Sequence, residues 1–413
     1  MENEKAIIVG INFNRDWGNS IKELEGLAKA DEVEVIALCT QSLERPNTAT
    51  YIGKGKVIEL KEMVSNMGAN LVIFNNELSG AQLRNLEERL DVKVIDRTIL
   101  ILDIFARRAK TKNGKLQVEL AQQRYRLSRL SGFGNYLSRQ GGGIGTRGPG
   151  EKKIETDRRH IEKRIDDIKN EIDKAITVRN TQRKLREKAN IPVVALIGYT
   201  NAGKSALMNA ILDDTQKEEK NVFEEDMLFA TLDTYQRSIL YDKNEFILVD
   251  TVGFVSELPH TLIDAFKGTL EEVLYADLLL HVIDISNPES EFQEKVANKV
   301  INEIGGGNKE TIKVYNKIDL LDECDNLLDK NNNIYISAKK AYNLKAVKKV
   351  IIEKLFDNKI NTKLLLPYER GDLVSYLCNK YIIDNLEYLD NGTMIIISLE
   401  IDDYRRLRKY EIV

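Results

Sequence analysis

The residues Gly198-Tyr199-Thr200-Asn201-Ala202-Gly203-Lys204-Ser205 set two glycines, a lysine and a hydroxyl in the order G-x-x-x-x-G-K-S. The apolar run Val193 to Ile197 precedes them, and the helix-compatible Ala206-Leu207-Met208-Asn209-Ala210 follows. A strand, a glycine loop and a helix in that order let backbone N–H groups converge on a phosphate, with the positive end of the helix behind them. Lys204 can then reach β- and γ-phosphate oxygens, and the Ser205 hydroxyl can ligate Mg²⁺. A chance match in a glycine-rich turn is the plain alternative; the flanking strand and helix argue against it.

Three further motifs follow in chain order. Phe246 to Val249 reads as a buried strand delivering Asp250-Thr251-Val252-Gly253, a D-x-x-G element. Asp250 is placed to hold Mg²⁺ through water, and the Gly253 N–H to meet a γ-phosphate. Thr311 to Tyr315 reads as a second strand, ending at Asn316-Lys317-Ile318-Asp319. That N-K-x-D tetrapeptide reads guanine, because the Asp carboxylate accepts from two purine N–H donors that adenine does not present together. Leaving such a carboxylate buried and unpaired is costly enough to discriminate by orders of magnitude. Ile334-Tyr335-Ile336 then leads into Ser337-Ala338-Lys339, whose backbone N–H groups can meet the guanine O6. Each short motif alone is a weak signal. In this order, each behind a strand, they specify a site for GTP or GDP with Mg²⁺.

The segment Phe223 to Gln236 carries Phe229-Ala230-Thr231-Leu232-Asp233 and is rich in acids. Thr231, chosen over Thr215 and Thr234 by pattern, is the candidate to close over the γ-phosphate and complete the Mg²⁺ shell with Ser205. Lys204, Thr231 and Gly253 are therefore the expected catalytic set. Phe254 stands where many switch GTPases carry a water-orienting glutamine, and a phenyl ring cannot do that work. Slow intrinsic hydrolysis, accelerated by a partner, is the expectation.

These motifs need a scaffold, and the chain offers an α/β one in four parts. Residues 1–97 alternate strands (Ala6 to Val9, Val33 to Leu38, Leu71 to Phe74, Val92 to Ile95) with helical stretches (Ser20 to Ala30, Lys56 to Met67, Ala81 to Leu90), which predicts a small parallel α/β domain. The turn Tyr51-Ile52-Gly53-Lys54-Gly55-Lys56 could hold an anion, but a plain helix start is the better reading. Residues 98–190 predict a long antiparallel helical hairpin: Leu116 to Leu130 forms one arm, and the seam Ile154, Ile161, Ile165, Ile168, Ile172, Ile176 marks the other. The glycine-rich loop Ser131 to Gly150 is its tip. Gly143, Gly145 and Gly148 spell G-x-G-x-x-G, but behind a helix and not a strand, so dinucleotide binding is rejected. Residues 191–358 form the nucleotide-binding domain with a mostly parallel sheet, and 359–413 a small α+β domain with a hairpin turn at Asp390-Asn391-Gly392.

The chain carries a formal charge of −4, yet residues 105 to 190 hold 23 Lys/Arg against 10 Asp/Glu, so +13 sits there and −17 elsewhere. A basic section in an acidic protein points to a polyanion, with a solvated helical face as the alternative. Arg139 and Arg147 on the tip suit contacts to phosphates or stacked bases. No apolar run approaches the roughly 18 residues of a membrane span, and Met1-Glu2-Asn3-Glu4-Lys5 opens no signal peptide. Cys39, Cys324 and Cys378 are scattered, as are His160, His260 and His281, so neither a disulfide framework nor a metal cluster is expected. A cytoplasmic monomer is the expectation.

With these residues in place, the chain resembles the HflX family of ribosome-associated GTPases over nearly its whole length. The resemblance is carried by Leu116 to Gln122 with Leu137 to Glu151, by Arg97-Thr98 with Ile101 to Ala106, and by Asp250-Thr251-Val252-Gly253-Phe254. It implies binding to the large ribosomal subunit, with the hairpin tip (131–150) and its flanking basic helices on rRNA near the peptidyl-transferase centre. It also implies roles in ribosome splitting, rescue or assembly, and makes Phe254 a family trait. Two departures are visible: Thr234-Tyr235-Gln236 where Pro-Thr-Thr is usual, and Ala206 where Thr is common. Three functions stay open at this stage: a GTPase gated by the ribosome, a nucleotide-switched RNA-binding or assembly factor with incidental turnover, and a GTPase whose basic hairpin docks a protein.

Overall fold

The structure, a computed structural model, describes residues 4–12, 17–130, 149–188, 191–214, 235–242, 244–256, 272–321, 333–356 and 359–412. At the N-terminus β1 (Lys5–Asn12), α1 (Trp17–Ala30), β2 (Glu34–Ser42), α2 (Lys54–Met67), β3 (Leu71–Phe74), α3 (Gly80–Leu90) and β4 (Lys93–Asp96) alternate. Their sheet is parallel throughout, in the order β2-β1-β3-β4. The reason lies in unbroken apolar strands, which need both faces covered. Ala6 and Ile8 join the core containing Ile21, Leu24 and Leu27 of α1, while Ile7, Val9 and Ile11 join Val57, Leu60 and Leu86 of α2 and α3.

Asp96 ends β4 and caps α4 (Arg97–Arg108) by accepting from the Ile99 N–H at 3.0 Å. Next come α5 (Lys112–Leu130) and α6 (Pro149–Lys188). Lys112 pairs with Glu171 and Glu119 with Arg164, so the two helices run in opposite directions. Leu116 and Leu120 are buried against Ile165 and Ile168, with Ile161 and Ile172 at the margin, which is the predicted seam. At 40 residues, α6 is about 60 Å long. The predicted tip residues Arg139 and Arg147 lie outside the described residues.

The nucleotide-binding domain contains β5 (Val193–Gly198), α7 (Lys204–Asp214), β6 (Tyr235–Tyr241), β7 (Asn244–Asp250), β8 (Leu278–Asp284), α8 (Ser290–Glu303), β9 (Thr311–Asn316), β10 (Ile334–Tyr335) and α9 (Leu344–Phe356). Its sheet has the order β10-β9-β8-β5-β7-β6 and is parallel except for β6. The carboxyl ends of β5, β7 and β9 therefore share one edge. At the C-terminus β11 (Lys359–Leu366), α10 (Gly371–Lys380), β12 (Ile383–Leu389), β13 (Gly392–Glu400) and α11 (Ile401–Leu407) build an antiparallel β11-β13-β12 sheet with helices. The predicted hairpin turn falls between β12 and β13.

One hydrophobic cluster crosses from the N-terminal sheet to the nucleotide-binding domain. It links Ile21, Leu24 and Leu27 of α1, Ile104 and Phe105 of α4 and Tyr125 of α5 to Ile197, Tyr199, Val252, Phe254 and Val273. That shared core fixes one domain against the other.

Candidate functional site

The phosphate loop begins where β5 meets β8. Gly198 has φ of 145°, and a Cβ there would sit 2.2 Å from the Val282 carbonyl oxygen, so only glycine fits. Gly203 has φ of 90°, and its missing Cβ would lie 2.2 Å from Asn316 Nδ2. Between them Asn201 adopts the left-handed region at 60°, a conformation asparagine tolerates well. Thr200 and Ala202 are buried in the loop.

Lys204 opens α7 and is buried, donating to Tyr199 O at 2.9 Å and Gly198 O at 3.3 Å. Burial lowers its pKa to about 8, with the Asp250 carboxylate pulling the other way. The Ser205 hydroxyl donates to Asp250 Oδ2 at 2.6 Å, where Asp250 is fully buried at the end of β7. Thr251 donates its hydroxyl to Leu196 O at 2.6 Å, which fastens the start of the D-x-x-G element to β5. Val252 is buried, and a Cβ on Gly253 would lie 2.6 Å from Thr200 Cα and 3.0 Å from Lys204 Nζ. Phe254 continues this docking: its N–H donates to Gly198 O at 3.1 Å, and its carbonyl accepts from Thr200 N at 2.7 Å.

The base-reading loops meet the phosphate loop through one side chain. Asn316 Nδ2 donates to Ala202 O at 3.0 Å, and its Oδ1 accepts from Ala338 N at 3.0 Å. Lys317, at φ 66°, pairs with Asp284 at 2.8 Å, and Ile318 is buried. Ser337 donates its hydroxyl to Asp319 Oδ1 at 2.6 Å, while Lys339 is exposed.

The structure thus brings together 198–205, 250–253, 316–319 and 337–339 at the edge predicted for them. The expected switch residues Phe229, Ala230, Thr231, Leu232 and Asp233 lie outside the described residues. Among the described oxygens, the Ser205 hydroxyl beside the Asp250 carboxylate is a hard-donor set suited to Mg²⁺. Asp284 escaped notice in the sequence, although a lone carboxylate closing the apolar strand Leu278 to Ile283 is a usable signal. Glu23 and Ser256, which bond to the Tyr199 hydroxyl, gave no local signal, and Arg97, which pairs with Glu23, stood out only as part of the family resemblance.

Comparison with known proteins finds three family matches in succession along the chain. A GTP-binding GTPase N-terminal family matches residues 18–106, a GTP-binding GTPase middle-region family 108–186, and a 50S ribosome-binding GTPase family 193–317. The GTPase HflX of Caldanaerobacter subterraneus subsp. tengcongensis is 47% identical over 410 residues, spanning 99% of this chain and 94% of that relative. The chain belongs to the HflX family of GTPases. Escherichia coli K12 has a GTPase HflX that is 40% identical over 416 residues, covering 99% and 96% of the two chains. A crystal structure of a GTP-binding protein from the archaeon Sulfolobus solfataricus with GDP aligns at a TM-score of 0.44 and 24% identity, over 86% of this chain and 99% of that one. As an HflX-family member the chain binds and hydrolyses GTP. Among its described residues, no helix is long and apolar enough to cross a membrane.

Proposed function

We propose that this HflX-family GTPase is a monomer of the cytoplasm that associates with the large ribosomal subunit and splits, rescues or helps assemble ribosomes. The observation that carries the reading is the joining of two features in one body. Four nucleotide motifs converge on one sheet edge, and a shared core ties that edge to a basic hairpin whose second helix alone is about 60 Å long. Lys204 would reach the β/γ-phosphates, the Gly253 N–H would meet the γ-phosphate, Asp319 would read guanine, and the 337–339 backbone would meet its O6. Ser205 and Thr231 would hold Mg²⁺, with Asp250 behind a water; the ion, when bound, offsets phosphate charge. Phe254 has no polar side-chain atom with which to orient water, which supports a slow intrinsic rate raised by the ribosome.

In the hairpin, several cations are already paired with acids, as in Arg158 with Glu162 and Arg159 with Glu155. These pairs are exposed and weak enough to open for a phosphate, so the rRNA contact is assigned to the 131–150 tip and to the helix surfaces beside it. Cosedimentation with purified large subunits, across nucleotide states and salt, tests this. Binding should strengthen with a non-hydrolysable GTP analogue and weaken steeply with salt. Deleting 138–150 should spare GTP binding and weaken ribosome-stimulated hydrolysis; undiminished stimulation would remove the contact role. Subunit splitting by the analogue with no stimulated hydrolysis would favour the alternative, a nucleotide-switched RNA-binding factor whose turnover is incidental.

A further inference from the structure

The phosphate loop is gripped from outside its own domain. Glu23 lies on α1 of the N-terminal domain, and its carboxylate is filled by donors from two other places. Oε1 accepts from the Tyr199 hydroxyl at 2.6 Å and from the Ser256 N–H at 3.2 Å. Oε2 accepts from the Ser256 hydroxyl and pairs with Arg97 at 2.7 Å. Ser256 also donates its N–H to the Tyr199 oxygen at 2.7 Å, and Arg97 donates to Ser256 O and Oγ at 3.2 and 3.1 Å. Arg97 is oriented in turn by Asn75 Oδ1 at 3.1 Å. The side chains of Arg97 and Glu23 are 3% and 11% exposed, so this network stands where solvent does not screen it.

We propose that Glu23 is a positioning residue for the GTPase. It acts through Tyr199, the second residue of the phosphate loop, and through Ser256, three residues beyond the D-x-x-G glycine. A charged acceptor holding both segments at once makes the loop and the exit of the D-x-x-G element one unit. Movement of that exit with nucleotide then pulls on α1 and on Arg97. The adjacent Asp96 carries the link onward, accepting from the Tyr125 hydroxyl at 2.7 Å and Arg129 at 3.0 Å, both on α5 of the hairpin. Burying a carboxylate among four donors is warranted only while all four stay in place. The assignment rests on the family's GTP site and not on the ribosomal reading, so its test uses the protein alone.

The experiment measures release of a fluorescent GDP analogue by stopped flow, and amide exchange by mass spectrometry, on full-length Glu23→Gln, Ser256→Ala and their double variant. Losing the charged acceptor should speed release about tenfold, as expected for charge-assisted bonds. Exchange should quicken over residues 252–256 and stay unchanged in β1 and β3. The double variant should be no faster than Glu23→Gln, because both changes break one network. Tyr199→Phe, which frees the phosphate loop but keeps the Arg97–Glu23 pair, should also speed release and stands in if Glu23→Gln does not fold. Release within twofold of the parent, effects that multiply in the double variant, or β1 and β3 exchanging faster in step would each overturn the proposal.

Discussion

Replacing Asn316 by alanine should weaken guanine-nucleotide binding more than any contact to the base would suggest. The side chain is 2% exposed and bridges the phosphate loop, through Ala202 O, to the Ser337-Ala338-Lys339 turn, through Ala338 N. Alanine leaves a buried carbonyl and a buried N–H without partners at once. Each orphaned group costs about 1–3 kcal/mol, so about 2–4 kcal/mol is a moderate sum for the pair. At 1.4 kcal/mol per factor of ten, that is about 30- to 1,000-fold in affinity if the loops must be re-formed on binding. A fluorescent-GDP titration reads the affinity, and melting with and without GDP shows how much of the loss falls on the free protein. Asn316→Asp is the informative companion, since it keeps an acceptor for Ala338 but turns a carboxylate oxygen toward Ala202 O. Affinity within threefold of the parent, with unchanged melting, would show that the two loops are held by something other than this strut.

Further outcomes follow from single groups. Asp319→Asn should shift preference away from GTP, toward a purine presenting the complementary donor pattern such as xanthosine triphosphate; competition titrations showing unaltered selectivity would remove the role of Asp319. Because burial holds Lys204 near 8 and bound phosphate would raise it, GDP binding near pH 8 should take up about half a proton, a linkage that grows as pH rises past 8. Calorimetry in buffers of different ionisation enthalpy checks this, and a buffer-independent enthalpy refutes it. Arg183 pairs with Glu272 at 2.7 Å with side chains 8% and 4% exposed, so Arg183→Ala should destabilise by about 3–5 kcal/mol by stranding a buried carboxylate. Urea unfolding reads that loss; a change below 1 kcal/mol would mean that water reaches Glu272 once the arginine is gone, and the expected penalty would not hold.

Much of this arrangement could be read in the chain because it is local. A strand, G-x-x-x-x-G-K-S and a helix are contiguous, and each remaining nucleotide motif directly follows its own apolar strand. The isoleucine spacing of α6 likewise named the residues, Ile165 and Ile168, that meet α5. Helix α4 escaped because Ile99 to Leu102 is a short apolar run that periodicity cannot assign, and its capping residue Asp96 doubles as the strand end. Strand β6 was hidden for another reason: it pairs antiparallel with β7 at the sheet edge, and its residues are only partly buried. The Glu23–Arg97–Ser256 network was out of reach altogether. Glu23 and Ser256 are 233 residues apart, and nothing in the neighbours of a charged helical residue reports that its partner will arrive from another domain.

Phe254 shows how the shared core bears on catalysis. Its side chain is 1% exposed, and it belongs to the cluster that includes α1 of the N-terminal domain as well as Ile197 and Val252. Its backbone extends the end of β5 by bonds to Gly198 and Thr200. An amide side chain at this position would be buried among apolar groups without a partner, at a cost of order 1–3 kcal/mol, so the docking that anchors the D-x-x-G element disfavours a water-orienting glutamine here. The position has been given to packing instead. The buried Phe254 side chain therefore serves the docking of the D-x-x-G element onto the N-terminal domain and takes no part in aligning an attacking water.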